Sequence, residues 1–504
     1  MVDGALLVGR RRLMTDYLPP SMIKEGSGAK ILDAEGVATV IKSVWQDHEL
    51  NASEIVYLLD YYRGQQDILT RVKEVRPDIN NTIVFNNAMA ITRDIVGYTF
   101  GKPVRFAHRT DEARDEVEKL NQMVEAEDKF ASDQEIAQLS SICGTAYRGV
   151  FADTYGVEDE VPFSIVTLEP FLTFVVYSTE VGNPPVLAVT YYEVPPTPFA
   201  NGKFVYLAYT KDHVFQYQTE GLAIGDLSVA NLVGDVKANP LGALPIIEYP
   251  NNRWRIGDWE MVKTLLDAIN LVGSDCVNDL EGFVSSLLVG INIDMKDITQ
   301  EDLKARKILS FPSLKEMPSD LKYIGQLADA QTTEQLRSYL LEQMRIIVGL
   351  PSQDAGGISG GDTGDAVYLR NGYDRLETVA RMKETFFKRG ERASLKLMLK
   401  IAQIYGELKG LKSVNVDIKF TRNLTDSILV KSNAISTIHA TKILDPVDTL
   451  SLVGITTSPD ELVKRGESYW KEHPDEVPAQ VGAPTEKQKE ASTKDPAMKT
   501  KVDR

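Results

Sequence analysis

The stretch Gly349–Gly364, GLPSQDAGGISGGDTG, most limits how this chain can fold. It is dense in glycine and contains no lysine or arginine. Apolar residues recur at helical spacing through Thr332–Val348 before it and through Ala366–Leu408 after it. Glycine loses more conformational freedom on folding than any other residue. A run of it is wasteful inside a packed core. It makes sense where backbone bends, moves or lies close to a partner between two rigid helices.

The helix-bearing segments on either side are long. Asp258 is the predicted N-cap of the first, with Trp259, Val262, Leu266, Ile269, Cys276, Leu280 and Phe283 following at three- and four-residue steps. Only Gly273 breaks the row. Such a sustained alternation is a packing seam against other helices. At about 1.5 Å per residue this helix spans roughly 38 Å. Its polar face (Glu260, Lys263, Asp267, Asp275, Asp279) is predicted to look at solvent or at something passing. The second helix starts at Thr332, with Gln335 as a capping-box partner, and carries Leu336, Leu340, Met344 and Ile347. Residues 284–329 form a small insertion between the two, with strands expected at Leu287–Ile293 and Ala305–Phe311. The third helix, Ala366–Leu408, spans roughly 64 Å if straight, with bends expected at Gly372 and Gly390.

Upstream the pattern is mixed. Residues 1–50 are weakly patterned. Helices are expected at Ser53–Leu69 and Asn80–Gly97, the second with Asn87 alone on an apolar stripe. Asp111–Glu135 holds ten carboxylates against Arg114, Lys119 and Lys129, which reads as a solvated helix face. From Gly144 to Pro250 the period changes to two, in short Val-, Tyr- and Phe-rich segments separated by Gly, Pro or Asp. A mainly antiparallel sheet follows. Ser413–Arg422 is an alternating strand isolated in sequence, so it must return to pair with an earlier one. Leu424–Trp470 reads as short helices, one opening at Thr457-Ser458-Pro459-Asp460 with proline just inside. His473–Arg504, with no aromatic residue and balanced charges, is predicted disordered.

Composition narrows the function. A chain of 504 residues folds as about two to four modules. The net charge of −16 argues against a surface that binds nucleic acid broadly, but leaves room for a local basic patch or a neutral channel. Cys143 and Cys276 have no metal or redox spacing and read as two structural thiols in a reducing compartment. The N-terminus has the wrong order of apolar run and arginines for a secretory signal. No run approaches the roughly 18 apolar residues of a membrane helix, so no membrane partner is expected. The glycine stretch lacks the lysine of a nucleotide-binding P-loop and follows a helix, not a strand. His48, His108, His213, His439 and His473 are scattered. Asp294, Asp297 and Asp302 read as a solvated acidic turn. No catalytic constellation, cofactor site or metal site is expected.

The order of parts resembles the portal proteins of tailed bacteriophages, of the type found in long-tailed phages of Gram-positive bacteria. The resemblance runs from about Tyr57 to Trp470. It is carried by NNTIVFNNAMAITRDIVGYTFGKPVRF, the Pro245-Ile246-Ile247 strand ending in Asn251-Asn252, GGISGGDTGDAVYLRNGYDRLETVARMKETFF, and VDIKFTRNLTDS. It implies an α+β portal fold and a dodecameric ring at one capsid vertex, assembled in the host cytoplasm, with double-stranded DNA threading an axial tunnel without sequence specificity. It implies an N-terminal region and wing (1–257), stem helices (258–282 and 332–348), a clip (283–331), a tunnel loop (349–365), a long wing helix with its returning strand (366–423) and a crown (424–472). Terminase large subunit and head-tail adaptor would dock on the clip, with Asp294, Lys296, Asp297, Glu301, Asp302 and Lys304 as contact candidates. Major capsid and scaffolding proteins are further implied partners. The loop residues implied are Ser352, Gln353, Asp354, Gly356, Gly357, Ile358, Ser359, Gly360, Gly361, Asp362 and Thr363. Lys263, Arg337 and Arg345 are candidates for sparse tunnel-lining rings, or for salt bridges to a neighbouring subunit. The implied role is structural and not enzymatic. A nucleic-acid-processing enzyme and a monomeric scaffold or adaptor are the alternatives.

Overall fold

Helix α1 (Ala34–Tyr62) opens on Asp33, whose carboxylate accepts the Gly36 N–H at 2.8 Å. In the computed structural model, residues 22–25, 33–74, 77–152, 161–196, 202–220, 227–284, 287–291, 320–324, 330–351, 373–421, 435–438, 446, 449–450 and 459–472 are described. Helix α2 (Asn87–Phe100), strand β1 (Arg105–His108), α3 (Arg114–Ala126) and α4 (Lys129–Cys143) follow α1. The period-two region then gives β2 (Thr145–Ala152), β3 (Phe163–Leu168), β4 (Thr173–Tyr177), β5 (Pro185–Val194), β6 (Lys203–Tyr209), β7 (His213–Thr219), β8 (Lys237–Ala238) and β9 (Ile246–Pro250). Helix α5 (Lys263–Val284) leads to β10 (Leu287–Ile291) and β11 (Asp320–Ile324), and α6 (Ala330–Val348) returns. The long helix α7 (Tyr373–Ile404) and β12 (Val416–Lys419) complete the larger compact unit, Met1–Asn423. The second unit, Leu424–Arg504, contains α8 (Pro459–Glu472), which begins on the proline that the sequence places just inside a helix.

The architecture is α+β, and every pairing between the described strands is antiparallel. The strands divide into two main sheets, ordered β3-β2-β9 and β4-β5-β6-β7-β8. Helix α1 packs Val37, Val40, Ile41 and Val44 into one core with Phe174, Tyr206 and Tyr217 of the five-stranded sheet. Its apolar spacing lies inside the region read as weakly patterned, so the helix begins far earlier than Ser53. It also ends at Tyr62, and Asp67–Thr70 is a separate 3-10 turn.

Helix α4 shows why the acidic stretch is not uniformly solvated. Asp133 and Lys129 are buried beside Arg148 of β2 and Glu391 of α7. Lys129 Nζ lies 2.6 Å from Asp133 and 2.9 Å from Glu391; Arg148 lies 2.5 Å from Asp133 and 2.8 Å from Glu391. The Tyr249 hydroxyl of β9 donates to Glu391 at 3.1 Å. Two cations and two carboxylates thus neutralise one another and join α4, both strands and α7. Burial raises the Asp133 carboxyl. Burial would raise Glu391 as well, but Lys129 and Arg148 outweigh it and hold that carboxyl below the usual range. Gly390, expected as a bend, lies within continuous helix. A Cβ there would come within 2.7 Å of the Tyr249 ring, so the glycine serves close approach of helix to strand.

Several predicted boundaries differ. Asn80–Asn86 is not helical, and α2 starts at Asn87, capped by the Asn86 side chain accepting the Met89 N–H. Asp258 is no N-cap: it is buried, accepts from Lys383 and Ser141, and a 3-10 turn (Glu260–Val262) precedes α5. Helix α6 starts two residues before Thr332. Strand β12 is four residues long, after a 3-10 turn, and among the described strands returns to pair with β1. Strand β11, absent from the sequence reading, pairs with β10. Ala305–Phe311, Gly372 and most of 424–458 lie outside the described residues. Cys143 is buried, whereas Cys276 is exposed and no core thiol.

Removing one member of a buried charge cluster leaves its partners uncompensated, at a cost of about 3–5 kcal/mol. Arg148→Met is expected to lower stability by that order, read as a fall in the urea midpoint with unchanged oligomer preparation. Lys119→Met, which removes an exposed pair with Glu407, is expected to cost under about 1 kcal/mol.

Candidate functional site

The α5–α6 hairpin is the candidate site, and it has two halves. At its base Trp259, Val262, Leu266 and Ile269 are buried with Met344, Val348 and Leu350 from the α6 end, Leu376 of α7, and Tyr61 and Ile91 from the N-terminal helices. Trp259 stacks on Tyr61 with ring centroids 5.0 Å apart. Further out the seam is not covered by the described residues. Leu280 is 56% exposed, Leu336 47% and Tyr339 60%; at the base, Ile347 beside the buried Val348 is 50% exposed. Leu271 and Val277 add to the uncovered surface. The seam read from sequence is therefore continuous, but only its lower part is core.

The polar side of α5 is largely covered by its own chain. Residues 80–86 run as an extended strap antiparallel to the helix. The Asn81, Ile83 and Phe85 N–H groups donate to Asn278, Ser274 and Asn270 side chains at 2.6, 2.9 and 2.8 Å. Two extended residues advance about 6.6 Å and four helical residues about 6.0 Å, so alternate strap amides meet every fourth helical side chain. Gly273 completes the fit, since a Cβ there would lie 2.2 Å from the Phe85 ring. The row Asn270, Ser274, Asn278 around Gly273 is the sequence signal for this strap. The helical reading of Asn80–Gly97 overlooked it because three buried polar residues on one helix face need a partner that periodicity alone does not supply.

The charged residues of that face are also engaged. Lys263 is 2.8 Å from Asp67 and 2.9 Å from Asp267, over the rings of Tyr57 and Tyr61. The Tyr61 hydroxyl donates to Asp267 at 2.8 Å. Asp275 pairs with Arg71 at 2.8 Å and Lys73 at 3.5 Å. Of the face expected to meet solvent or a passing partner, Asp279 is exposed and Glu260 is buried. Arg337 pairs with Glu334 on the same helix at 2.8 Å. Arg345 is half-buried, and its carbonyl accepts the Gly349 and Leu350 N–H groups at 2.9 Å. Gly349, at φ +83°, is therefore the stop of α6, and Leu350 is core. Ser352, Gln353, Asp354, Gly356–Thr363, and Asp294, Lys296, Asp297, Glu301, Asp302 and Lys304 lie outside the described residues.

Among the described residues no group of three His, Cys, Asp or Glu side chains is arranged to hold a metal ion. No described helix is long and apolar enough to cross a membrane. An open groove of about 430 Å³ beside Phe151, Tyr191 and Tyr209 holds one carboxylate, Glu169.

Two measurements check this geometry. Asn270→Ala removes the acceptor of the Phe85 N–H and a donor to Gln66. A lost buried partner costs about 1–3 kcal/mol, so hydrogen exchange at Asn81, Ile83 and Phe85 is expected to speed at least several-fold. Amides of β5 and β6 are expected to be unaffected. Glu260 offers a pH test. Burial pushes its carboxyl up to about 7, against the Gly257 N–H that favours the charged form. The folded chain then holds a proton that the unfolded chain releases near the ordinary carboxylate value, so this group lowers stability as pH rises from about 4.5 to 7. Glu260→Gln is expected to raise the melting temperature at pH 8, by an effect on the order of 3 kcal/mol, and to change little at pH 4.5.

A family model described as phage portal protein, SPP1 Gp6-like, matches residues 41–468. No curated protein matches the chain. A solved structure described as "Neck of empty GTA particle computed with C6 symmetry" is 12% identical, with a TM-score of 0.40, over 73% of this chain and 90% of that one.

Proposed function

The chain belongs to the SPP1 Gp6-like phage portal protein family, and its role is that of a portal, or connector, at the capsid vertex; from this premise we propose that copies close into a ring around an axial passage for double-stranded DNA. The observation that supports the ring is the uncovered outer half of the hairpin. Leu280, Leu336 and Tyr339 lie beyond the buried base of the hairpin and are exposed. A contiguous exposed apolar surface marks an interaction site. A ring needs two different faces of one chain to meet repeatedly, and the two helices of the hairpin supply two such faces.

Within this reading α5 and α6 are the stem, the segment around β10 and β11 is the clip, and 352–363 is the loop nearest the DNA. The sheet-bearing body with α7 and β12 is the wing, and 424–472 the crown. Twelve copies are proposed, with terminase and the head-tail adaptor docking on the clip. Arg337, already paired within its helix, and Lys263, paired to Asp67 and Asp267, present little free charge to a passing polyanion. Weak phosphate contact suits sliding, because tight charge pairing would retard it. The chain is proposed to do no chemistry of its own; the terminase supplies hydrolysis.

Negative-stain images of the purified chain are expected to show rings with a central hole. Leu280→Glu with Tyr339→Glu is expected to abolish rings while leaving the circular dichroism spectrum unchanged. A chain that runs as a stable single copy in wild-type form would refute the proposal.

A further inference from the structure

Helix α7 carries a second feature that the portal reading does not use. Arg389, Arg392, Lys396 and Lys400 are exposed and recur at steps of three, four and four, so they form one row along the helix. The row is about 16 Å long at ~1.5 Å per residue. Lys388 flanks it, 5.4 Å from the Phe420 ring centroid. Thr385, Arg389, Arg392 and Lys396 line an open trough of about 510 Å³ that contains no carboxylate. Among the described residues none of the four cations has an ion pair. By contrast Lys119, Arg337 and Arg381 each have one and Lys263 has two. An uncompensated cationic row is unusual on a chain of net charge −16.

Two occupants carry the needed charge: a nucleic-acid backbone, or an acidic face of a second copy such as α3, with its exposed Asp115 and Glu118. The composition of the row favours the first. Protein–protein interfaces place apolar side chains at their centre and are depleted in lysine. Between Met382 and Ile404 the exposed face of α7 presents no large apolar side chain. Nucleic-acid interfaces are polar and strongly positive, and arginine forks match phosphate oxygens.

We propose that the Arg389–Lys400 row is a duplex-DNA backbone site, distinct from the glycine loop. It binds phosphates without reading sequence. The proposal rests on the reading that DNA accompanies the assembled protein, but does not depend on where the passage runs.

The test is fluorescence anisotropy of a labelled 30-base-pair duplex with the full chain between 50 and 200 mM NaCl, with oligomeric state followed by native mass spectrometry. Four phosphate contacts give a slope of log affinity against log salt of about −3.6. Arg389→Gln/Arg392→Gln/Lys396→Gln/Lys400→Gln is expected to keep the oligomeric state and to lose most of that slope. Arg392→Gln alone is expected to lose about 0.9 of it, equally for duplexes of different sequence. An unchanged slope in the fourfold variant overturns the proposal. Loss of the oligomeric state also overturns it, because the row would then serve a contact between copies. The ring images test the portal assembly separately, so the two readings can fail independently.

Discussion

Four charges with no access to water hold the body of this protein together. Lys129 and Asp133 of α4 and Arg148 of β2 are near in sequence, whereas Glu391 of α7 is 243 residues beyond Arg148. Desolvating any one of them alone is costly, and mutual pairing offsets that cost only in a close geometry. The cluster therefore tolerates one arrangement of α4, β2 and α7. Tyr249 ties β9 to the same point, and the missing side chain at Gly390 lets α7 approach the Tyr249 ring.

The same logic repeats where α5 leaves the body. Glu248 receives both ends of the Arg255 fork, at 2.6 and 2.8 Å, with Thr145 and Tyr177 as further donors. Burial alone would raise that carboxyl, but Arg255 holds it below the usual range. Arg255 has a left-handed backbone, and its carbonyl lies where a Cβ on Gly144 would sit, so only glycine fits opposite. Asp258, Lys383, Ser141 and Asn251 form the adjoining knot. The hairpin thus rises from a rigid, polar-stitched base, and the strap at 80–86 stiffens one side of α5. The hairpin is thus held at one end, and its far end carries apolar side chains that the described residues leave exposed.

Much of this was legible in advance because some signals are local. The period-two segments between Gly144 and Pro250 became strands with small boundary changes, since alternate burial is written into consecutive residues. The return of β12 to an early strand followed from its isolation, because an unpaired strand leaves backbone groups unsatisfied. Errors fell where a residue's partner is distant. Asp133 looked like one more solvated carboxylate and Asn80–Asn86 like helix. The deciding groups lie outside the local pattern: Arg148, 15 residues on, and the distant Glu391 for the first, the Asn270–Asn278 row for the second.

The amino-acid sequence by itself determined most element types, the apolar seam of the hairpin and membership of the family, because periodicity and motif order are properties of the chain. Only the tertiary structure decided which half of that seam is core, which charges are neutralised and which cations on α7 stand unpaired. Burial and pairing depend on what lies across a few ångströms of space, and a linear pattern does not contain that distance.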